Sequence, residues 1–142
     1  MKIGLLSYRS NPYSGGQGIY IRHLSKALSK LGHDVSVISG QPYPELDDSI
    51  NLIKLPGLGL FESGDRFSAF KISFFWNPLN FYEWFTVMTG GFPEPYAYGR
   101  RVHRLLKKTN FNFDILLDNQ SLSSSLLKIQ KEFPLAVTIH HP

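Results

Sequence analysis

Apolar residues fall along the chain in two alternating patterns, short continuous runs and longer stretches with helical spacing. The short runs, bounded by turn-forming residues, predict buried strands over residues 2–8, 34–39, 51–55, 113–118 and 135–140. The stretches with helical spacing predict amphipathic helices over residues 17–31, 80–89, 98–108 and 121–133. Strands separated by helices imply right-handed crossovers and a parallel sheet. The pattern therefore predicts an α/β fold, a Rossmann-like three-layer αβα domain with strand order 3-2-1-4-5.

The first predicted helix has the clearest pattern of apolar positions. Its inward-facing residues, spaced by three and four positions, are expected to be Tyr20, Leu24, Ala27, Leu28 and Leu31. Gly32 follows at the position typical of a helix C-terminal stop. The predicted helix over residues 121–133 ends in the same way, because Pro134 cannot continue it.

The segment 58–98 breaks this alternation and is rich in aromatic residues, including both tryptophans. We interpret it as an insertion within one domain that spans residues 1–142. Most of its aromatic side chains are expected to cover the sheet, whereas the loop over residues 90–96 is expected to contact the acceptor near the cleft. A bilayer interface, a pocket for a lipid-linked acceptor, or packing on a further domain are the alternatives for the aromatic side chains.

Composition narrows the class of protein. With 42% apolar and 18% charged residues, the 142-residue chain reads as one globular domain. The absence of cysteine excludes disulfides and thiolate metal sites, and the histidines lack ligand spacing, so no metal is expected. A formal charge of +4 is too small to indicate nucleic-acid binding. Without a signal peptide or a long apolar span, a cytoplasmic location is predicted.

The predicted helix over residues 98–108 carries a basic stripe opposite its apolar face. The stripe consists of Arg100, Arg101, Arg104, Lys107 and Lys108. A solvated face is the simplest interpretation, and peripheral docking on an anionic membrane surface is the alternative. The chain also stops on a strand-like run, which suggests a fragment with an open sheet edge, and self-association is expected from such an edge.

Polar residues follow three of the predicted strands. The first strand leads into a glycine-rich loop, the fourth into Asp118, Asn119 and Gln120, and the fifth into His140 and His141. In the predicted strand order these three strands are neighbours, and ligands bind beyond the C-terminal ends of parallel strands. The sequence therefore predicts a binding site at this edge of the sheet.

The glycine-rich loop, SYRSNPYSGGQGIYIRHLSKAL, does not match the common nucleotide-binding fingerprints. Its Gly-Gly-x-Gly spacing differs from Gly-x-Gly-x-x-Gly, and the second strand lacks the acidic residue that would bind a ribose. A P-loop is excluded because Gly-Lys-Ser/Thr is missing. Two interpretations remain: a tight turn, or a loop at Gly15 and Gly16 that lends helix N-terminal amides to an anion.

Three segments together resemble a known family. SGGQGIYIRHLSKALSKLGHDVSVIS, FDILLDNQSL and VTIHHP, in this order, are similar to the N-terminal signature of family 4 glycosyltransferases, which have the two-domain GT-B fold. The resemblance implies a truncated N-terminal half of that fold, the acceptor-binding domain of a retaining enzyme. Such an enzyme moves a sugar from a nucleotide-sugar donor to the hydroxyl of a sugar or lipid-linked acceptor. The donor is a substrate, so no cofactor is expected.

The resemblance also implies roles for individual residues. Gly15 and Gly16 would reach the donor diphosphate, and His140 would lie near the reacting centre as the catalytic residue. The remaining cleft residues, on the acceptor side, would be Gln17, Asp118, Asn119, Gln120 and His141. The nucleotide-binding acids and the basic phosphate clamp of the family belong to a C-terminal domain that this chain lacks. At the fourth strand end the family frequently has a histidine, and Asp118 and Asn119 depart from it.

Two other functions are compatible with the residues alone. A non-catalytic αβα binding or assembly module would use the aromatic segment as an interface and the glycine-rich loop only as a turn. A different nucleotide-using enzyme could also occupy the same fold. If the chain is instead the glycosyltransferase domain that the resemblance implies, it is not expected to transfer sugar alone, because the donor-binding domain is missing.

Overall fold

The structure, a computed structural model, describes residues 1–14, 16–60 and 71–140. Five parallel strands form one sheet: β1 (Lys2–Ser7), β2 (Asp34–Ser39), β3 (Asn51–Lys54), β4 (Ile115–Asn119) and β5 (Leu135–Thr138). Their order is β3-β2-β1-β4-β5. The predicted fold class and strand order are confirmed.

β1 lies at the centre of the sheet, and its neighbouring side chains point to opposite faces. Leu5 is aligned with Val37 of β2 and Leu117 of β4. Leu5 belongs to the core on one face, whereas the adjacent Leu6 belongs to the core on the other. A run of consecutive apolar residues in β1 is thus explained by burial on both faces.

The helices form the outer layers. They are α1 (Gly16–Lys30), α2 (Pro78–Met88), α3 (Glu94–Lys108) and α4 (Leu126–Ile129), and a 3₁₀-helix spans Ile72–Trp76. α1 packs through Ile21 on the face that contains Leu5. α3 and α4 pack through Val102 and Ile129 on the opposite face, which completes the three layers.

The buried face of α1 agrees in part with the predicted one. Its fully buried residues are Gly18, Ile21 and Ser25. Tyr20, Leu24 and Leu28, which are predicted to face inward, are partly buried and pack beside them. Leu31, predicted to face inward, is 73% exposed. Ala27, also predicted to face inward, is exposed as well.

The helix predicted over residues 121–133 is wrong in extent. Only Leu126–Ile129 is α-helical, and the preceding residues form a serine-rich turn. Gln120 and Leu122 there adopt positive φ angles of 54° and 48°, which a helix does not allow. Ser121 donates its backbone N–H to Asp118 Oδ2 at 2.8 Å. Side-chain hydrogen bonds of this kind compete with helix formation.

Two other boundaries also differ from the sequence predictions. β5 ends at Thr138, two residues before the predicted end. α3 begins at Glu94, inside the segment predicted to be a loop over residues 90–96. Pro95 sits in its first turn, where the missing N–H has no helical partner to lose.

The aromatic side chains that the structure describes mostly face outward, which corrects the prediction that they cover the sheet. Phe75 and Trp76 are 65% and 87% exposed, and Phe85 is 53% exposed. Phe81 stacks between Phe75 and Phe85, with ring centroids 5.4 and 6.1 Å away. Tyr98 of α3 is an exception, because it is buried in the core beside Leu6 and Ile38.

The basic stripe of α3 is not uniformly solvated. Arg101 forms an ion pair with Glu83 of α2, and the two side chains are 14% and 4% exposed. Its guanidinium also donates to Asn80 Oδ1 at 3.0 Å. Arg101 therefore joins α2 to α3, whereas Arg104 is exposed. Within residues 1–14, 16–60 and 71–140, no helix is long and apolar enough to span a bilayer.

Candidate functional site

The loop between β1 and α1 is shaped by its own side chains. Asn11 Oδ1 accepts the backbone N–H groups of Tyr13 and Ser14 at 2.9 and 3.1 Å, forming an Asx turn. The Ser10 N–H donates to the Pro42 carbonyl at 2.9 Å and ties the loop to the segment after β2. The Tyr13 hydroxyl donates to Glu45 in the same segment. The glycine-rich loop is thus held from two sides.

The glycines of this loop have different surroundings. A Cβ atom at Gly18 would lie 2.1 Å from the backbone oxygen of Asn11, so only glycine fits there. A Cβ atom at Gly16 would meet no atom within 4 Å. Gly18 therefore serves the packing of the loop on α1, whereas Gly16 opens onto free space. Gly15 lies outside the described residues.

One cleft brings several of the predicted residues together. It has a volume of about 330 Å³, and its lining residues are Gly16, Gln17, Tyr20, Gln120 and His140. They come from the start of α1, the end of β4 and the segment after β5, as the strand order predicts. No Asp, Glu, Lys or Arg is among the described lining residues, so the cleft carries little fixed charge. His141 lies outside the described residues.

His140 is held by two neighbours. Its Nε2 lies 2.7 Å from Asn119 Oδ1. The ring of Tyr20 meets the imidazole edge-to-face, with centroids 4.6 Å apart. Sequence reasoning missed Tyr20 because its spacing in α1 matched the apolar face. The signal available was its position one helical turn after Gly16, on the same side of the helix.

Asp118 and Asn119 are placed beneath the cleft rather than along it. Both residues are fully buried. The Asp118 carboxylate accepts the N–H and the hydroxyl of Ser121. Burial raises the pKa of Asp118 above its ordinary value, and the hydrogen bonds from Ser121 partly offset this rise. Asp118 thus shapes the turn that presents Gln120.

A second cleft, of about 260 Å³, shares Gln17 with the first. Arg9 lines it, and its guanidinium lies 3.8 Å from the Glu94 carboxylate at the start of α3. Sequence reasoning missed both charges: Arg9 precedes the glycines in the loop, and Glu94 was assigned to a loop. Their ion pair joins the first loop to α3 at the strand ends.

Metal ligands are sparse in the described part of the chain. Residues 1–14, 16–60 and 71–140 contain no group of three or more histidine, cysteine, aspartate or glutamate side chains that could hold an ion. The expectation that the protein uses no metal stays a prediction.

Comparisons with known proteins agree with these features. The family model described as Glycosyltransferase Family 4 matches residues 14–142. An "MMP alpha-(1->4)-mannosyltransferase" from Mycolicibacterium hassiacum is 48% identical over 144 residues, covering 100% of this chain. The chain spans 35% of the length of that relative.

Solved structures show the same fold at low identity. The structure of LpCGTa in complex with UDP is similar with a TM-score of 0.54 and 18% identity, over 96% of this chain and 29% of that one. The C-terminal domain of the hydrogenase PF1911 from Pyrococcus furiosus is similar with a TM-score of 0.50 and 11% identity, over 97% of this chain and 91% of that one. One neighbour is a hydrogenase domain, so likeness of fold alone does not select a function.

Proposed function

Because the chain belongs to glycosyltransferase family 4, we propose that it forms the acceptor-side N-terminal domain of an enzyme that transfers mannose. The donor is a nucleotide sugar, the acceptor is a hydroxyl of a saccharide, and the anomeric configuration is retained. The mannosyltransferase that is 48% identical across the whole chain supports the sugar. The family match disfavours the alternative of a non-catalytic module.

The observation that carries this proposal is the cleft shared by α1, β4 and β5. Gly16, Gln17, Gln120 and His140 lie far apart in sequence and meet around one space. Packing does not require glycine at position 16, since a Cβ atom there would meet no atom within 4 Å. A glycine that the fold does not need is expected where a ligand approaches the backbone.

The chemistry follows from the elements at the cleft. The first N–H groups of α1 lack helical partners, so they can donate to the departing diphosphate of the donor. This stabilises negative charge that develops as the glycosidic bond breaks. The cleft itself carries little charge, so we assign cationic neutralisation of the diphosphate to another part of the full-length protein. The nucleotide would be held there too.

His140 would act on the sugar side of the reaction. Its imidazole can accept or donate a hydrogen bond to a hydroxyl near neutral pH. Gln17 and Gln120 have amides that can orient further hydroxyls. Proximity and orientation of this kind account for a large part of the rate of group transfer.

The location of the reaction belongs to the same proposal. We place it in the cytoplasm, with peripheral contact to anionic lipid through the 3₁₀-helix, α2 and α3. Support comes from the outward-facing Phe75, Trp76 and Phe85 and from Arg100 and Arg104, which line a surface groove. Aromatic rings and arginines favour such an interface. Co-sedimentation with anionic and neutral vesicles tests it, and equal binding to both would contradict it.

Transfer assays on the full-length protein test the main proposal. A nucleotide-mannose donor and a mannose oligosaccharide acceptor should give a longer product. His140→Ala should lower kcat at least tenfold, whereas His23→Ala, on the exposed side of α1, should leave it unchanged. If both variants behave alike, His140 does not belong to the site. Absence of any transfer from a panel of nucleotide sugars would reject the function itself.

A further inference from the structure

The side chain of Asn119 is fully buried, and its carbonyl oxygen forms a hydrogen bond with His140. The Oδ1 atom lies 2.7 Å from His140 Nε2. The Nδ2 group, also buried, has no hydrogen-bond partner among the described residues. An unpaired buried amide is costly, so packing alone would favour an apolar side chain at this place. An asparagine at this position therefore calls for a reason other than packing.

An amide oxygen can only accept a hydrogen bond. His140 Nε2 must therefore carry the proton in this contact. In the neutral ring the other nitrogen, Nδ1, is then the hydrogen-bond acceptor. Asn119 fixes which ring nitrogen is available for a hydroxyl, and this is a condition that a general base or a hydroxyl-binding group must satisfy.

Tyr20 restrains the same imidazole from a second element. Its ring lies edge-to-face on the imidazole at 4.6 Å, an arrangement that favours one ring orientation. Tyr20 belongs to α1 and Asn119 to β4, while His140 follows β5. Residues from three parts of the chain thus meet at one exposed imidazole. His140 itself lies beyond the end of β5.

We propose that Asn119 and Tyr20 are positioning residues that hold His140 with Nε2 protonated and Nδ1 free to accept from a substrate hydroxyl. This inference rests on the proposed function for its catalytic consequence. Its structural part does not, because the state of the imidazole can be read without substrate. Neither residue is assigned a contact with the reacting atoms.

Nuclear magnetic resonance of the full-length protein, labelled with ¹³C and ¹⁵N in histidine, tests the structural part. His140→Gln identifies the signals. The wild-type ¹⁵N shifts should show a single tautomer with Nε2 protonated, and Asn119→Leu should show a mixture. Asn119→Asp keeps an oxygen that can only accept, so Nε2 should stay protonated in that variant. Identical His140 signals in all three proteins would overturn the proposal.

Kinetics on matched variants test the catalytic part. Tyr20→Phe keeps the ring and should retain kcat within twofold, whereas Tyr20→Leu should lower it about tenfold with little change in KM. Asn119→Leu should lower kcat and leave the denaturant midpoint unchanged. Replacing a residue with a purely structural role would lower the midpoint instead. If the resonance signals respond as expected but His140→Ala transfers at the wild-type rate, the positioning contact is supported and the role of His140 is rejected. Equal kcat in Tyr20→Phe and Tyr20→Leu would overturn the role of Tyr20.

Discussion

Gly16 and Gly18 lie two residues apart in the first turn of α1, yet their surroundings are opposite. A Cβ atom at Gly18 would lie 2.1 Å from the backbone oxygen of Asn11, and one at Gly16 would meet nothing within 4 Å. The fold therefore requires glycine at position 18, whereas at position 16 only the approach of a ligand would require it. A sequence pattern alone cannot make this distinction, because both residues read as part of one loop.

This difference predicts opposite outcomes for two substitutions. Gly18→Ala should destabilise the protein by about 1–3 kcal/mol, because the methyl group meets backbone that cannot move freely. Gly16→Val should leave stability nearly unchanged and lower transfer strongly, because the side chain would occupy the approach to the helix N-terminus. Denaturant unfolding and initial rates measure the two effects. A Gly16→Val protein that transfers at the wild-type rate would remove Gly16 from the site.

Tyr98 predicts a second effect on stability. Its buried hydroxyl donates to the Ile38 carbonyl at 2.7 Å and accepts the Ser7 N–H at 2.9 Å, which ties the ends of β1 and β2 to α3. Tyr98→Phe removes a buried hydroxyl that makes two hydrogen bonds to the backbone, so a loss of about 1 kcal/mol is expected. Tyr82→Phe, at an exposed position, is the control. Equal midpoints for the two variants would mean that water replaces the hydroxyl.

Most of the fold could be predicted from the sequence because strands buried on both faces leave a strong signal. The run around Leu5 and Leu6, and the similar run at Val37 and Ile38, predict β1 and β2 without knowledge of the tertiary structure. The strand order followed from connection rules that hold for parallel sheets. The helix before β5 could not be predicted in extent, since its serines bond locally to Asp118 and to the turn.

The site was predictable in part for a related reason. The strand ends indicated His140 and Gln120, which the structure places in one cleft with Gly16 and Gln17. Burial of Asp118 beneath that cleft was not predictable, because a polar residue at a strand end gives no sign of which way it points. Tyr20 was hidden by its apolar character. Polar residues that carry chemistry can be recognised at strand ends in a sequence. An aromatic residue that restrains them occupies the same kind of position as a core residue and cannot be told apart from one.

The ion pair between Glu83 and Arg101 predicts a third effect. Both side chains are largely buried between α2 and α3, so removing one partner leaves the other charge uncompensated. Arg101→Met should therefore cost about 3–5 kcal/mol, and the double variant Glu83→Leu/Arg101→Met should recover much of that loss. Arg104→Met, on the exposed part of α3, should change the unfolding midpoint little. A double variant no more stable than Arg101→Met would contradict this account.

Asp118 predicts a dependence of stability on pH. Burial raises its pKa in the folded protein above the unfolded value of 3.8, so the folded state binds the proton more tightly. Stability from this group is then fully present below the unfolded pKa and is lost as pH rises through the folded pKa. Asp118→Asn removes this titration while keeping an oxygen that can accept from Ser121.

The measurement is denaturant unfolding of wild type and Asp118→Asn between pH 4 and pH 7. The free energy of unfolding of the wild type, relative to the variant, should fall as pH rises across the window above the unfolded pKa. Asp48→Asn, which removes an exposed carboxylate, controls for the loss of one negative charge. A difference between wild type and Asp118→Asn that stays constant or grows with pH would show that hydrogen bonds from Ser121 dominate over burial in setting the charge of Asp118.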